Sequence, residues 1–338
     1  MDHRKRARKA KQIADKRTGE RLRILNYSED VLQAYELVNT SHSESVSTST
    51  GIVLMDIAWQ SGGSVPSEIE LANAYFPIQC FFLGTIYQDD LLDSLKAKKP
   101  RFLVKTLGMP NCMIMGNILY CEALISLFEQ VFKECGDKLL PSCDSMERMV
   151  KDIMESEIIR RHHIGKILPL RTFNGIWRRL TPFRACIEIG GIVGNSDKEK
   201  IKDLTEIASN LSISRRITKE ISEIYGLRGS FKEKIRNKPS PLPITLAYQS
   251  ATLSEKQEIE LFLKRLDSRD WKNFPTKDSL LDIGLLIDVV AKYDSISAAL
   301  EIQRGIIEET RGLLGKVANS EHRNILSQLL ETQPHKDL

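Results

Sequence analysis

What this 338-residue chain lacks narrows its class before any motif is read. No apolar run approaches the roughly 20 residues that a helix needs to cross a bilayer, so no membrane span is expected. The N-terminus has no apolar segment of the kind a secretory signal carries, and a cytoplasmic location is the expectation. There is no glycine-rich phosphate loop, no alternation of strand and helix patterns, and no repeat period. That sets aside the doubly wound nucleotide-binding folds and the solenoids. Six cysteines (Cys80, Cys112, Cys121, Cys135, Cys143, Cys186) are scattered without a C-x-x-C or zinc-like spacing. They read as buried thiols in a reducing compartment. The most basic stretch, MDHRKRARKAKQIADKRTGER, has no aromatic residue to stack on a base, so no nucleic acid partner is expected.

The basic character belongs to that one end. Residues 1–25 hold ten Lys/Arg against Asp2, Asp15 and Glu20, a net of +7, which leaves −3 for the rest of a chain that totals +4. Residues 1–27 therefore read as a basic N-terminal extension, either solvated or in peripheral contact with an anionic membrane. Residues 28–332 read as a single all-α domain and residues 333–338 as a tail.

What is present is helix after helix. SEIELANAYFPIQCFFLGTIYQDDLLDSL opens with a capping box, Ser67 and Glu70, and Pro77 predicts a kink. MPNCMIMGNILYCEALISLFEQVFKEC is a second apolar helix with Pro110 at its start. Amphipathic segments follow at 145–165 and from Ile201 to Gly226, and long helices from Lys277 onward. STSTGIVLMDIAW could pass for a strand, but a single strand would have nowhere to pair. One helical bundle is the economical architecture.

From Ala72 to Gln88 the chain carries no charge, and then come Asp89, Asp90 and Asp93. At about 100° per residue, Asp89 and Asp93 stack one turn apart with Asp90 beside them. Carboxylates that close raise one another's pKa unless a cation neutralises them. Their hard oxygens suit Mg2+, which shares its coordination with substrate phosphates. The plainer reading is a solvated helix C-terminus, although acidic groups there oppose the helix dipole.

With its motifs in this order, the chain resembles the trans-isoprenyl diphosphate synthase (polyprenyl synthetase) family and its class I terpene synthase relatives, over roughly residues 30–332. QDDLLDSLKAKKP is similar to the family's DDxxD helix and the basic stretch after it. Gly116 to Tyr120 stands at the GDxLL element, and Arg178-Arg179-Leu180-Thr181 at the Lys-Thr element before Gly190-Gly191. FKEKIRNKPSPLPITLAY resembles the segment whose lysine falls at Lys238. LGKVANSEHRNILSQLL resembles the closing helices at Ser320, Arg323, Leu326 and Leu329. The departures are equally specific. The basic GKRxRP element aligns with Val46 to Gly51, which holds no Lys or Arg, and Gln88 replaces a histidine. The second aspartate-rich motif reads Lys219-Glu220-Ile221-Ser222-Glu223.

The resemblance implies an all-α class I isoprenoid synthase bundle around a central cavity, and a homodimer. It implies an enzyme that ionises an allylic prenyl diphosphate with about two or three Mg2+ ions. The metal residues would be Asp89, Asp90 and Asp93, with Glu220 and Glu223 as a reduced second wall. Read without the resemblance, those two glutamates belong to a solvated face. Candidate diphosphate cations are Arg178, Arg179, Lys238, Lys98 and Lys99; a structural arginine pair and a solvated loop are the plain readings for the first two and last two. Gly84 and Thr85, both small, lie about 6–8 Å below Asp89 along the helix, with Phe81 and Phe82 about 10–12 Å below it. Either a prenyl tail passes Gly84 and meets the phenylalanines, which favours C15 or C20 chains, or Gly84 only allows a neighbouring helix to approach closely. Without cations at 46–51, ordinary elongation with isopentenyl diphosphate is not expected. Terpene synthase and acceptor prenyltransferase both stay open, and the alternative is a noncatalytic or regulatory subunit of a heteromeric synthase.

Overall fold

A computed structural model describes residues 3–24, 29–42, 46–96, 100–134, 136–225, 239–267, 278–317 and 319–331. Among them are fifteen α-helices and no strand. The helices are α1 (His3–Ile24), α2 (Glu29–His42), α3 (Val46–Gln60), α4 (Glu68–Lys96), α5 (Phe102–Leu107) and α6 (Met109–Glu134). After a 3-10 turn come α7 (Leu139–His162), α8 (Leu170–Arg179), α9 (Phe183–Val193) and α10 (Lys198–Ile224). The remainder are α11 (Leu242–Ser250), α12 (Leu253–Asp267), α13 (Asp278–Lys292), α14 (Ser295–Leu314) and α15 (Ser320–Glu331).

The all-α expectation holds. The chain divides into two compact units, Met1–Lys151 with Pro182–Ala208, and Asp152–Thr181 with Ser209–Leu338. Both are discontinuous in sequence. The boundaries fall inside α7 and α10, so no linker composition marks them.

In the first unit α4 packs along α6 and α1. The capping box forms as read: Ser67 N–H donates to Glu70 Oε2 at 2.8 Å and Glu70 N–H to Ser67 Oγ at 3.2 Å. The basic N-terminus is not a solvated extension. It is α1, which buries Ala7, Ala10, Ala14, Thr18 and Leu22 along one face. Small residues at helical spacing leave almost no hydrophobic signal in sequence, yet they let a helix approach its neighbours closely. Basic side chains of α1 then meet buried acceptors. Arg6 NH1 lies 2.9 Å from Asp56 Oδ1, and His3 Nδ1 lies 2.6 Å from Oδ2 of the same fully buried carboxylate. Farther along, Arg21 pairs with Glu122 and Glu129 of α6.

STSTGIVLMDIAW, the strand-like run, lies in α3. The backbones of α3 and α9 touch: a Cβ on Gly190 would come within 2.5 Å of Met55 O, and one on Gly194 within 2.3 Å of Trp59 O. That tertiary burial outweighs the small helix-propensity deficit of β-branched residues. One expectation fails by length: Met109–Glu129 of α6 is long and apolar enough to cross a membrane, and 44% of it is buried inside the protein. Its outer face exposes Met113, Ile114, Leu124, Ile125 and Phe128.

The second unit has one cluster around Phe173, Ile176, Trp177, Ile213, Ile217 and Leu242, and another around Ile244, Ile259, Phe262 and Val289. Part of its interior is polar. Buried Gln303 donates to Ser214 O at 2.9 Å and to Thr218 Oγ1 at 2.6 Å.

Candidate functional site

The three aspartates end the long apolar helix as expected, but they are not alike. Asp89 is exposed, Asp90 is half-buried, and Asp93 is 6% exposed. Asp90 Oδ2 accepts the N–H of Leu103 at 3.1 Å. Leu103 sits in the first turn of α5, whose N-cap, Arg101, makes no side-chain capping bond. Asp90 supplies that cap from α4. Asp93 Oδ2 lies 3.4 Å from the Arg101 guanidinium. Ser94 completes the corner, accepting Arg101 N–H at 2.8 Å and donating to Asp90 O at 2.7 Å. This leaves Asp89 as the carboxylate most open to solvent in the set.

One turn below, the structure favours the second of the two readings of Gly84. A Cβ on Gly84 would lie 2.7 Å from Tyr120 Cε1 and 3.0 Å from Gly116 O of α6. The space left at Gly84 is filled by the Tyr120 ring, so Gly84 serves close helix approach and leaves no open passage. Phe81 is buried against the same ring, with centroids 5.1 Å apart. Phe82 and Thr85 are half-buried, and Thr85 Oγ1 donates back to Phe82 O at 2.6 Å. Residues Val46 to Gly51 lie in α3, and Thr50 is buried.

In the second unit Glu220 is 3% exposed and fully engaged. Its Oε1 accepts from Arg216 Nε and NH2, each at 2.7 Å. Its Oε2 accepts the N–H of Leu242, the first residue of α11, at 2.7 Å. The Arg216 guanidinium stacks over the Trp177 ring at 3.9 Å from the centroid. Burial pushes the Glu220 carboxyl above the usual carboxylate range; Arg216 and the Leu242 N–H oppose that push, and Glu223 adds to it. Glu223 is likewise buried. The solvated-face reading of both glutamates is therefore wrong, and Glu220 does not stand open as a metal ligand.

Arg178 donates to Asn210 Oδ1 at 3.2 Å, while Arg179 turns to Gly175 O at 2.9 Å and to the Glu155 carboxylate at 3.4 Å. Arg179 is thus a helix-end arginine in ion pairs. Desolvation lowers the Arg215 guanidinium to a pKa of about 10. Lys98, Lys99 and Lys238 lie outside the described residues. Sequence reasoning missed Arg101, Tyr120 and the Arg216–Trp177 stack. Only the i,i+4 spacing of Arg216 and Glu220 could have signalled the ion pair.

Mg2+ normally takes one or two protein carboxylates and completes its shell with water and substrate phosphate. Asp89 and Asp93, on one face of α4, fit that demand in donor type. Among the described residues no three His, Cys, Asp or Glu side chains converge as a preformed cage. Glu220 does not fit, since both of its oxygens are bonded.

No family model matches the sequence, and no curated protein is similar to it at a significant level. Solved structures are similar across nearly the whole chain. Decaprenyl diphosphate synthase from Rhodobacter capsulatus superposes with a TM-score of 0.76 at 16% identity, covering 96% of each chain. Heptaprenyl diphosphate synthase from Staphylococcus aureus gives 0.77 at 16%, covering 98% of each. A polyprenyl synthase from Caulobacter crescentus CB15, complexed with calcium and isoprenyl diphosphate, gives 0.67 at 15%, covering 92% of this chain and 95% of that one. The chain has the helical fold of the trans-isoprenyl diphosphate synthases.

Proposed function

We propose that this protein is a class I isoprenoid enzyme that ionises an allylic prenyl diphosphate with Mg2+. It acts as a terpene synthase or acceptor prenyltransferase rather than as an ordinary chain elongator. The observation that carries this reading is the carboxylate set Asp89, Asp90 and Asp93 at the end of an apolar helix in a chain of this fold. A divalent cation with a prenyl diphosphate is the kind of ligand pair proposed here, and the Caulobacter structure holds one such pair, calcium and isoprenyl diphosphate.

Mg2+, when bound, supplies electrostatic stabilisation for the departing diphosphate. Asp89 and Asp93 would hold it, and Asp90 fixes the corner with α5. Dry, aromatic surroundings such as Phe81 and Tyr120 would keep water from the allylic cation. Elongation is disfavoured because residues 46–51 supply no Lys or Arg for a second diphosphate. The C15 and C20 preference rested on an open Gly84, and with Tyr120 filling that volume no chain length is proposed. We also propose a homodimer through the outer face of α6, which exposes Met113, Ile114, Leu124, Ile125 and Phe128.

The test is pyrophosphate release by the purified chain with Mg2+ and C10, C15 or C20 allylic diphosphates, with and without isopentenyl diphosphate. Metal-dependent release that isopentenyl diphosphate leaves unchanged is expected. No release from any of the three overturns the reading.

A further inference from the structure

The helix Leu242–Ser250 begins with an unusual shortage of capping groups. Its N-cap is Pro241, which makes no side-chain capping bond, and its second residue, Pro243, has no N–H. The first-turn donor at Leu242 is buried, because Leu242 itself is 0% exposed. An unpaired buried amide is costly, so an acceptor has to reach it from elsewhere in the unit. Glu220 does so at 2.7 Å, and a carboxylate there also sits favourably at the positive end of the helix dipole.

A lone carboxylate could not be buried this deeply without a counter-charge. Arg216, one turn earlier on α10, supplies it, and the Trp177 ring holds the guanidinium plane from its open face. The contacts run in series: ring on guanidinium, guanidinium on Oε1, Oε2 on the amide. A divalent ion seeking Glu220 would have to strip the amide from one oxygen or displace a guanidinium from the other. It would also arrive beside a fixed positive charge.

We infer that Glu220 is a helix-positioning residue and brings no metal ion to this protein, although it stands in the segment where the resemblance expects a second metal wall. Trp177, Arg216 and Glu220 form a clamp that fixes the start of α11 on α10. Any divalent ion that accompanies the diphosphate is then held without Glu220. This inference rests on the proposed activity only in its use of a metal–diphosphate ligand.

The experiment titrates Mn2+ into the full-length protein with inorganic pyrophosphate, counting bound ions by electron paramagnetic resonance, and follows thermal unfolding of each variant. Glu220→Gln is expected to keep the wild-type number of Mn2+ ions and to lower the melting temperature. Asp89→Ala is expected to lose Mn2+ with an unchanged melting temperature. Should Glu220→Gln fail to fold, the apolar pair Arg216→Met with Glu220→Met carries the same expectation of unchanged Mn2+. Loss of an ion in either Glu220 variant that is folded at the titration temperature overturns the inference, as does an unchanged melting temperature in Glu220→Gln. Wild-type protein that binds no Mn2+ with pyrophosphate overturns the proposed activity instead, and the melting temperature of Glu220→Gln still decides the clamp.

Discussion

The ring of Tyr120 on α6 lies where a side chain at Gly84 on α4 would be, with 2.7 Å between Tyr120 Cε1 and a Cβ built on the glycine. The two residues share one volume. Gly84→Ala should therefore cost about 1–3 kcal/mol by overpacking, offset in part by the roughly 1 kcal/mol helix preference for Ala. In a Tyr120→Ala background the cost should fall but not vanish, since Gly116 O still lies 3.0 Å from the added Cβ, as urea midpoints of the double-mutant cycle will report. Additive costs would show that the ring does not set the constraint.

If Tyr120 also limits the depth available to a prenyl tail, its removal has a second readout. Tyr120→Ala should shift the ratio of pyrophosphate release toward C20 over C15 substrates. An unchanged ratio in a folded variant would remove Tyr120 from the substrate path.

The aspartates should separate by role. Asp89 is exposed, so Asp89→Ala should cut pyrophosphate release by on the order of 10²–10³ while leaving the melting temperature near wild type. Asp90→Ala removes the cap on Leu103 N–H and should cost roughly 1 kcal/mol of stability. Equal destabilisation by both changes would contradict the division.

The Asp56 carboxylate should make the protein acid-sensitive. Burial alone would raise its pKa, but hydrogen bonds from His3, Gln60 and Arg6 outweigh burial and hold it below the ordinary carboxylate range. A lowered folded value means that the ionised group stabilises the protein above the unfolded-state pKa. That stability is lost as pH falls through the folded value. Asp56→Asn should cost about 3–5 kcal/mol at pH 7, because Arg6 then keeps a buried charge without its partner. Its urea midpoint should also fall less steeply than wild type between neutral and acid pH. A parallel acid limb in the variant would assign the acid sensitivity to other groups.

The exposed face of α6 should bury itself in a homodimer. Leu124→Glu places a charge on that face, and sedimentation equilibrium should find the wild type dimeric and the variant monomeric. A monomeric wild type would leave the face to another occupant.

The all-helical class, the capping box at Ser67 and Glu70, and the clustering of Asp89, Asp90 and Asp93 were all legible along the chain. Each is a local matter of spacing along one helix, and local spacing is what periodicity and capping chemistry encode. The strand-like run in α3 and the basic residues of α1 were misread because their context is remote. Glycines of α9 let α3 pack as a helix, and Asp56, 50 residues from Arg6, turns a basic tail into a docked one. Only the tertiary structure decided which carboxylates are spoken for. Asp90 and Glu220 look like ligands in sequence, yet each caps a helix whose own N-cap, Arg101 or Pro241, makes no side-chain capping bond. A carboxylate's chemistry depends on whether a buried amide or guanidinium lies within about 3 Å of it, and nothing along the chain fixes that distance.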